Sequence, residues 1–263
     1  MQNSILHTIA AHAEERVAEA KKELPEALLK EQALRMDINT GFLFERALAS
    51  GDIAFICECK KASPSKGMIA EDFPYLTIAK EYEEAGAAAI SVLTEPKWFL
   101  GRNDYLREIA AAVSIPCLRK DFTVDDYMIY EAKVLGASAV LLICSLLGTE
   151  TLRHMIALCD SLGLSALVEA HDEQEIRSAL LAGARIIGVN NRNLKDFTVD
   201  IGNSGRLRAL VPPEVLFIAE SGITSAEDVD RLRKANVNGV LIGETLMRAG
   251  NKKQMLQSLR GTI

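Results

Sequence analysis

From Asp52 onward the chain alternates short β-forming runs with stretches rich in Ala, Leu, Glu and Arg. The runs fall at 53–59, 88–93, 115–119, 139–143, 165–169, 186–189, 216–219 and 239–242, and helical stretches follow, as at 72–85, 124–135, 149–162, 172–182 and 226–235. Three of the helical stretches end in the tripeptides AGA or LGA, at 85–87, 135–137 and 182–184. Glycine there closes a helix in the left-handed conformation and releases the chain into the next strand. The middle runs, AVLLI at 139–143 and RIIGV at 185–189, are nearly continuous in apolar residues, as strands covered on both faces are. Such a repeat predicts parallel strands with outer helices. At 263 residues the chain is close to the ~250 of one α/β barrel of the (β/α)8 TIM type; an open doubly wound sheet is the alternative. No Gly-x-Gly-x-x-Gly follows a strand, which argues against a dinucleotide.

Ahead of the repeat, 4–24 reads as a helix interrupted by Pro25, and 42–49 as a short second one. Residues 1–51 are therefore expected to form a helical extension packing on a barrel of residues 52–263, one domain overall. Whether the extension covers the barrel's top or its bottom is open. A net charge of −6 without a basic stripe points away from nucleic acid. No run is apolar for long enough to span a membrane. Glu14, Glu15, Arg16 and Glu19 come too early for an export segment, and five cysteines without a CxxC pair fit reduced thiols. Cytoplasmic location and no metal site are the expectation. His7, His12, His154 and His171 read as surface or capping residues.

Two neighbouring strings near the C-terminus, LFIAESGI at 216–223 and GVLIGETLM at 239–247, read as strand, glycine and helix start. Helix N-termini carry partial positive charge, so two such junctions side by side suit a phosphate. Catalytic groups of a β/α barrel stand at the C-terminal strand ends. The residues there include Glu58, Lys60, Lys120, Glu169, Asn190, Arg192 and Glu220. Strand alternation puts Ala54, Ile56, Glu58 and Lys60 on one face and Phe55, Cys57 and Cys59 on the other. With Glu58 and Lys60 inward, both cysteines are packing residues. Charges crowded into a barrel mouth hold one another ionised and shift one another's pKa, which provides acids and bases near neutral pH. The turn-rich segment SPSKG at 63–67 reads as a mobile lid at that mouth.

Several strings resemble the indole-3-glycerol phosphate synthase family: ECKKASPSKG at 58–67, LRKDF at 118–122, LVE at 167–169, IGVNNRNL at 187–194 and AESGI at 219–223. The resemblance runs in matching order from the N-terminal extension through the last helix, and the chain resembles the monofunctional form. It implies a cofactor-free lyase of tryptophan biosynthesis acting on 1-(2-carboxyphenylamino)-1-deoxyribulose 5-phosphate. Ring closure, decarboxylation and dehydration would give indole-3-glycerol phosphate. By resemblance Lys120 is the general acid, Lys60 grips the anionic end of the substrate and takes part in later proton transfer, and Glu169 is the base for dehydration. Glu58 orients the lysines; Asn190 and Arg192 hold the substrate and the hydrogen-bond network. Ser63, Phe122, Leu194, Glu220 and Ser221 are expected to contact substrate. Ser221, Gly222, Gly243 and Glu244 would cradle the phosphate, Glu244 through its N–H alone. A small phosphorylated substrate, no nucleic acid or membrane partner, and a monomer are implied. A phosphoribosylanthranilate isomerase would need an inward cysteine on strand one and an aspartate on strand six. A Schiff-base lyase would use Lys60 or Lys120 as nucleophile. A non-catalytic phosphate sensor would have no use for the crowded acid–base set.

Overall fold

A computed structural model describes residues 5–49, 51–193 and 197–261. Eight parallel strands close into a barrel: β1 (Ala54–Cys59), β2 (Ala89–Leu93), β3 (Cys117–Lys120), β4 (Ala139–Ile143), β5 (Ser165–Ala170), β6 (Ile186–Asn190), β7 (Leu216–Glu220) and β8 (Gly239–Ile242). Each pairs with its sequence neighbours, and β1 closes on β8 through Ala54 opposite Gly239 and Ile56 opposite Leu241. The outer helices are α4 (Tyr75–Glu84), α5 (Asn103–Ala112), α6 (Asp126–Val134), α7 (Thr149–Ser161), α8 (Glu173–Ala182), α9 (Gly202–Arg208), α10 (Ala226–Lys234), α11 (Glu244–Arg248) and α12 (Lys252–Arg260). They follow α1 (Ile5–Glu23), α2 (Glu26–Leu34) and α3 (Leu43–Leu48) of the extension. The alternative of an open sheet is thereby excluded.

Alternation sorts the strand side chains into two cores. Ala54, Ile56, Leu118, Leu141, Leu167, Ile218 and Leu241 fill the barrel axis, while Phe55, Cys57, Cys59, Val92, Cys117 and Val140 pack against the helices. Burial pushes the Cys57, Cys59 and Cys117 thiols up in pKa, so they stay protonated and inert. Several strands run one residue or more past the sequence boundary: β3 includes Lys120, β6 includes Asn190 and β7 includes Glu220. The paired ladder, which fixes these residues, is a tertiary property that local composition does not report.

The extension covers both ends of the barrel. On α1, Leu6, Ile9, Ala10, Ala13 and Val17 are buried at helical spacing. Arg16 donates to both oxygens of Asp121, at 2.8 and 3.2 Å, and Lys21 donates to Asp125 at 2.9 Å, so α1 is tied to the segment after β3 at the barrel top. Helix α2 packs along α6. Helix α3 closes the bottom: Phe44 and Leu48 join the axial core, and Glu45 accepts from Arg185 and from Ser165 Oγ at the strand starts.

Candidate active site

The inward positions of the strands change character near their C-terminal ends. On β1 they run Ala54, Ile56, Glu58; on β5 Ser165, Leu167, Glu169; on β7 Leu216, Ile218, Glu220. The register sets these polar ends side by side, Glu58 opposite Ser91, Ile143 opposite Glu169 and Asn190 opposite Glu220. Above them opens a cavity of about 650 Å³. Glu58, Lys60, Ser63, Lys120, Phe122, Glu169, Asn190, Arg192, Glu220, Ser221, Gly222, Gly243 and Glu244 all line it. Leu194 lies outside the described residues. No cysteine lines the cavity among the described residues.

Two ammonium groups sit among three buried carboxylates. Lys60 Nζ lies 2.6 Å from Glu58 Oε1. Lys120 Nζ lies 3.3 Å from Glu169 Oε2 and 3.7 Å from Glu220 Oε2. Burial works to lower the Lys120 pKa, but the pull of Glu169, Glu220 and Glu58 outweighs it and leaves Lys120 above its usual value. Burial likewise works to raise Glu169, yet Lys120, His171 and the Asn190 amide hold it well below the ordinary carboxylate range. Glu220 goes the other way. Burial pushes it up to about 8; Lys120 opposes this, and Glu169 and Glu58 add to it. Its Oε1 is buried without a hydrogen-bond partner among the described residues, and it presses against Gly188, where a Cβ would stand 2.2 Å away. Glycine at 188 therefore makes room for the acid. A set holding one ionised and one protonated carboxylate around a lysine can both take and give protons.

The opposite wall is backbone. After β7, Ser221 and Gly222 adopt successive left-handed conformations, φ 68° and 80°. Here the structure departs from the sequence reading of a strand–glycine–helix junction. Helix α10 starts only at Ala226, and Ser225 and Asp228 close its first turn as a capping box. Asp228 also takes the Thr224 and Ser225 N–H groups. What faces the cavity at this point is thus a tight turn. At β8 the reading holds: Gly243 leads directly into α11. A Cβ at Gly243 would meet Glu58 Oε1 at 2.5 Å and Lys60 Nζ at 2.9 Å, so this glycine also admits the Glu58–Lys60 pair. The Glu244 carboxylate turns to Arg248 at 3.1 Å and to Lys66 at 3.6 Å.

Asn190 donates to Glu169 Oε1 at 3.3 Å and accepts the Arg192 N–H at 3.0 Å, which links the base to the loop after β6. Phe122 and Phe99 stand 6.1 Å apart between ring centres and form an aromatic wall with Leu6 and Ile9 of α1. Ala62–Ser63 pairs with Gly67–Met68 as a two-residue hairpin at the mouth.

Sequence reasoning missed several contributors. Ser91 Oγ donates to Glu58 Oε2 at 3.3 Å. Its inward parity in the middle of β2, as a polar residue in an apolar run, is the available signal. Arg119 and Asp121 flank Lys120 but point away from the axis into a buried network with Arg16, Thr94 and Glu131. His171 corrects the expectation of a surface or capping histidine: its side chain is only 18% exposed and its Nε2 lies 3.4 Å from Glu169 Oε1. It follows β5 at the same parity as Glu169, which is why it turns toward the site. His154 is exposed beside Asp126, as expected.

A family model described as indole-3-glycerol phosphate synthase matches residues 6–259. An indole-3-glycerol phosphate synthase from Ruminiclostridium cellulolyticum is 57% identical over 258 residues, covering 98% of this chain and 99% of the relative. One from Lachnoclostridium phytofermentans is 53% identical over 270 residues, covering 98% of this chain and all of the relative (100%). Among solved structures, KGPDC from Streptococcus mutans superposes with a TM-score of 0.63 at 12% identity, covering 80% of this chain and 96% of that one. At that identity the likeness shows the barrel fold alone.

Proposed function

The chain belongs to the indole-3-glycerol phosphate synthase family, and from that premise we propose how its residues divide the reaction. The enzyme is a lyase of tryptophan biosynthesis that converts 1-(2-carboxyphenylamino)-1-deoxyribulose 5-phosphate to indole-3-glycerol phosphate. The observation that carries the assignment is the placement of Lys120 between Glu169 and Glu220, across one cavity from the turn at 221–222 and the start of α11.

The phosphate is assigned to the N–H groups of the turn and of α11. The Glu244 carboxylate, held by Arg248 and Lys66, stays clear of it. Lys60, next to Gly243, is the cation at the anionic end. The anthranilate ring lies against Phe122 and Phe99, with Arg192, Ser63 and Ser221 on the polar groups of the substrate. Ring closure makes a new carbon–carbon bond between the aromatic ring and the ribulose carbonyl carbon, whose oxygen takes up a proton from Lys120. A preorganised ammonium in a water-poor site is worth more there than in bulk solvent. Carbon dioxide then leaves, and its bonding electrons restore the ring. In dehydration Glu169 removes a proton from the substrate while the former carbonyl oxygen departs as water, with a lysine ammonium supplying its second proton. Glu58 keeps Lys60 aimed, and Asn190 keeps Glu169 aimed.

The isomerase rival loses its thiol, because Cys57 and Cys59 face the outer helices. We also propose that residues 1–51 and the barrel act as one domain, that the enzyme is a cytoplasmic monomer, and that it needs no nucleic acid or obligate protein partner. No described helix is long and apolar enough to cross a membrane. The test is turnover of the substrate, followed by indole fluorescence, in Lys120→Met. Loss of a general acid predicts a fall of at least ~10²-fold with the fold retained; turnover near that of the unaltered enzyme would remove Lys120 from the mechanism.

A further inference from the structure

His171 is held at its ring Nδ1 and at both of its backbone polar groups. Its Nδ1 lies 3.0 Å from Glu175 Oε2, and its backbone N–H donates to the same oxygen at 2.8 Å. Its carbonyl accepts from Asn203 Nδ2 at 3.2 Å. Glu175 is itself fixed: Ser145 Oγ donates to its Oε1 at 2.6 Å, and its N–H caps onto Asp172 Oδ1 at 2.9 Å. The imidazole is therefore aimed before any substrate arrives. Its second nitrogen, Nε2, is buried and faces Glu169 Oε1 at 3.4 Å.

A neutral imidazole fits this place poorly. With one proton, whichever nitrogen carries it, the other turns a lone pair toward a carboxylate oxygen. With two protons both contacts become attractive. The immediate surroundings point the same way, since the ring stands between two carboxylates, Glu169 and Glu175, each of which favours its charged form. The groups around the ring are Glu169 from β5, with Lys120 and Glu220 behind it, and Glu175 from α8, whose neighbour Asp172 is turned to the helix cap. The end of β4 adds Ser145 and the Cys144 thiol, β6 adds Asn190, and α9 adds Asn203. The one cation in that set, Lys120, stands on the far side of the site and pairs with Glu169 Oε2, while the ring faces Oε1.

We propose that His171, as an imidazolium between Glu169 and Glu175, is a positioning residue that fixes the Glu169 carboxylate and keeps it ionised for proton abstraction. The inference rests on the reading of Glu169 as the base. It also explains how Glu169 avoids keeping the proton it takes: a fixed cation at its shoulder lowers its proton affinity, so the proton is released for the next cycle. Burial opposes charge on the ring, but Glu169 and Glu175 outweigh it and raise His171 to about 10.

Two measurements test this. Nitrogen-15 NMR of the imidazoles in the unaltered enzyme should show His171 doubly protonated at pH 8; a neutral ring titrating near the ordinary ~6.5 would overturn the proposal. This readout needs no variant and is independent of whether Glu169 is the base. His171→Gln keeps a hydrogen-bonding side chain and removes the charge. The acid limb of its kcat–pH profile should move up by about one to three units, the effect of a nearby opposite charge, with KM changing less than kcat. An unmoved acid limb would reduce His171 to a structural residue and sink the proposal. Turnover retained in Glu169→Gln would instead refute the base assignment, and the NMR result would stand apart from it.

Discussion

Gly222→Ala tests the phosphate turn at the atom where it is tightest. Gly222 has φ 80°, and a Cβ there would stand 2.3 Å from Val199 Cγ1 and 3.4 Å from Ile201 Cγ1. A left-handed alanine costs about 1–2 kcal/mol. Val199 must also retreat by more than 1 Å, from 2.3 Å to the 3.4–4 Å of ordinary contact. It is exposed and on a loop, so it yields instead of blocking folding. Stability should fall by about 1–3 kcal/mol, which at about 2–4 °C per kcal/mol lowers Tm by several degrees. The catalytic consequence is separate. Val199 pairs with Arg192 in a two-residue bridge, and the turn's N–H groups move with it. Losing one charge-assisted hydrogen bond is worth about 1.5–3 kcal/mol, so KM should rise on the order of 10- to 100-fold. Lys120 and Glu169 are untouched, so kcat should fall by much less. Steady-state indole fluorescence measures both constants. Adding Val199→Ala relieves the contact but not the φ, and should recover part of the KM. A Gly222→Ala enzyme with KM within about two-fold of the unaltered one would refute the cradle at this turn.

Three more outcomes are expected. Glu220 is raised to about 8, so the unfolded chain loses this proton near 4.5 while the folded one keeps it, and the protein loses stability as pH rises between those values. Glu220→Gln, a neutral stand-in, should therefore gain Tm over the unaltered protein progressively from pH 5 to 8; a pH-independent difference would contradict this. Glu169 is depressed, so its stabilising contribution is present above ~4.5 and is lost as pH falls below it; the Tm deficit of Glu169→Gln should shrink on acidification. Arg16→Met strips a buried carboxylate of its bidentate partner but leaves it Arg119 at 3.8 Å and the Thr94 hydroxyl at 2.6 Å, so the loss should fall below the ~3–5 kcal/mol of an uncompensated buried charge. Thermal melting should show it, and Asp121→Asn in the same chain should cost less than the sum of the two single changes.

Much of the site follows from period-two alternation. Glu58 and Lys60 share one face and Cys57 and Cys59 the other because a strand permits nothing else, and closure of the barrel turns the cysteines outward. What escapes is contact made by tertiary register. Arg16 meets Asp121 across 105 residues, and no local pattern couples them. His171 shares the parity of Glu169, but only the placement of α8, which brings Glu175 against the ring, shows what it does. The turn at 221–222 looks like a helix start in sequence because the capping signal, Ser225 with Asp228, lies a few residues later. The extension's position was undetermined for a related reason: its apolar residues at 6, 9, 44 and 48 state that it packs, not against which end.

A crystal structure with indole-3-glycerol phosphate bound bears most directly on the central claim, that one cavity joins the anion-binding turns to the Lys120–Glu169 pair. The phosphate oxygens should lie about 3 Å from the Gly222 and Glu244 nitrogens, with the indole ring beside Lys120 and Phe122. A phosphate found instead in the cleft lined by Arg16, Arg102 and Arg119, beneath α1, would contradict it.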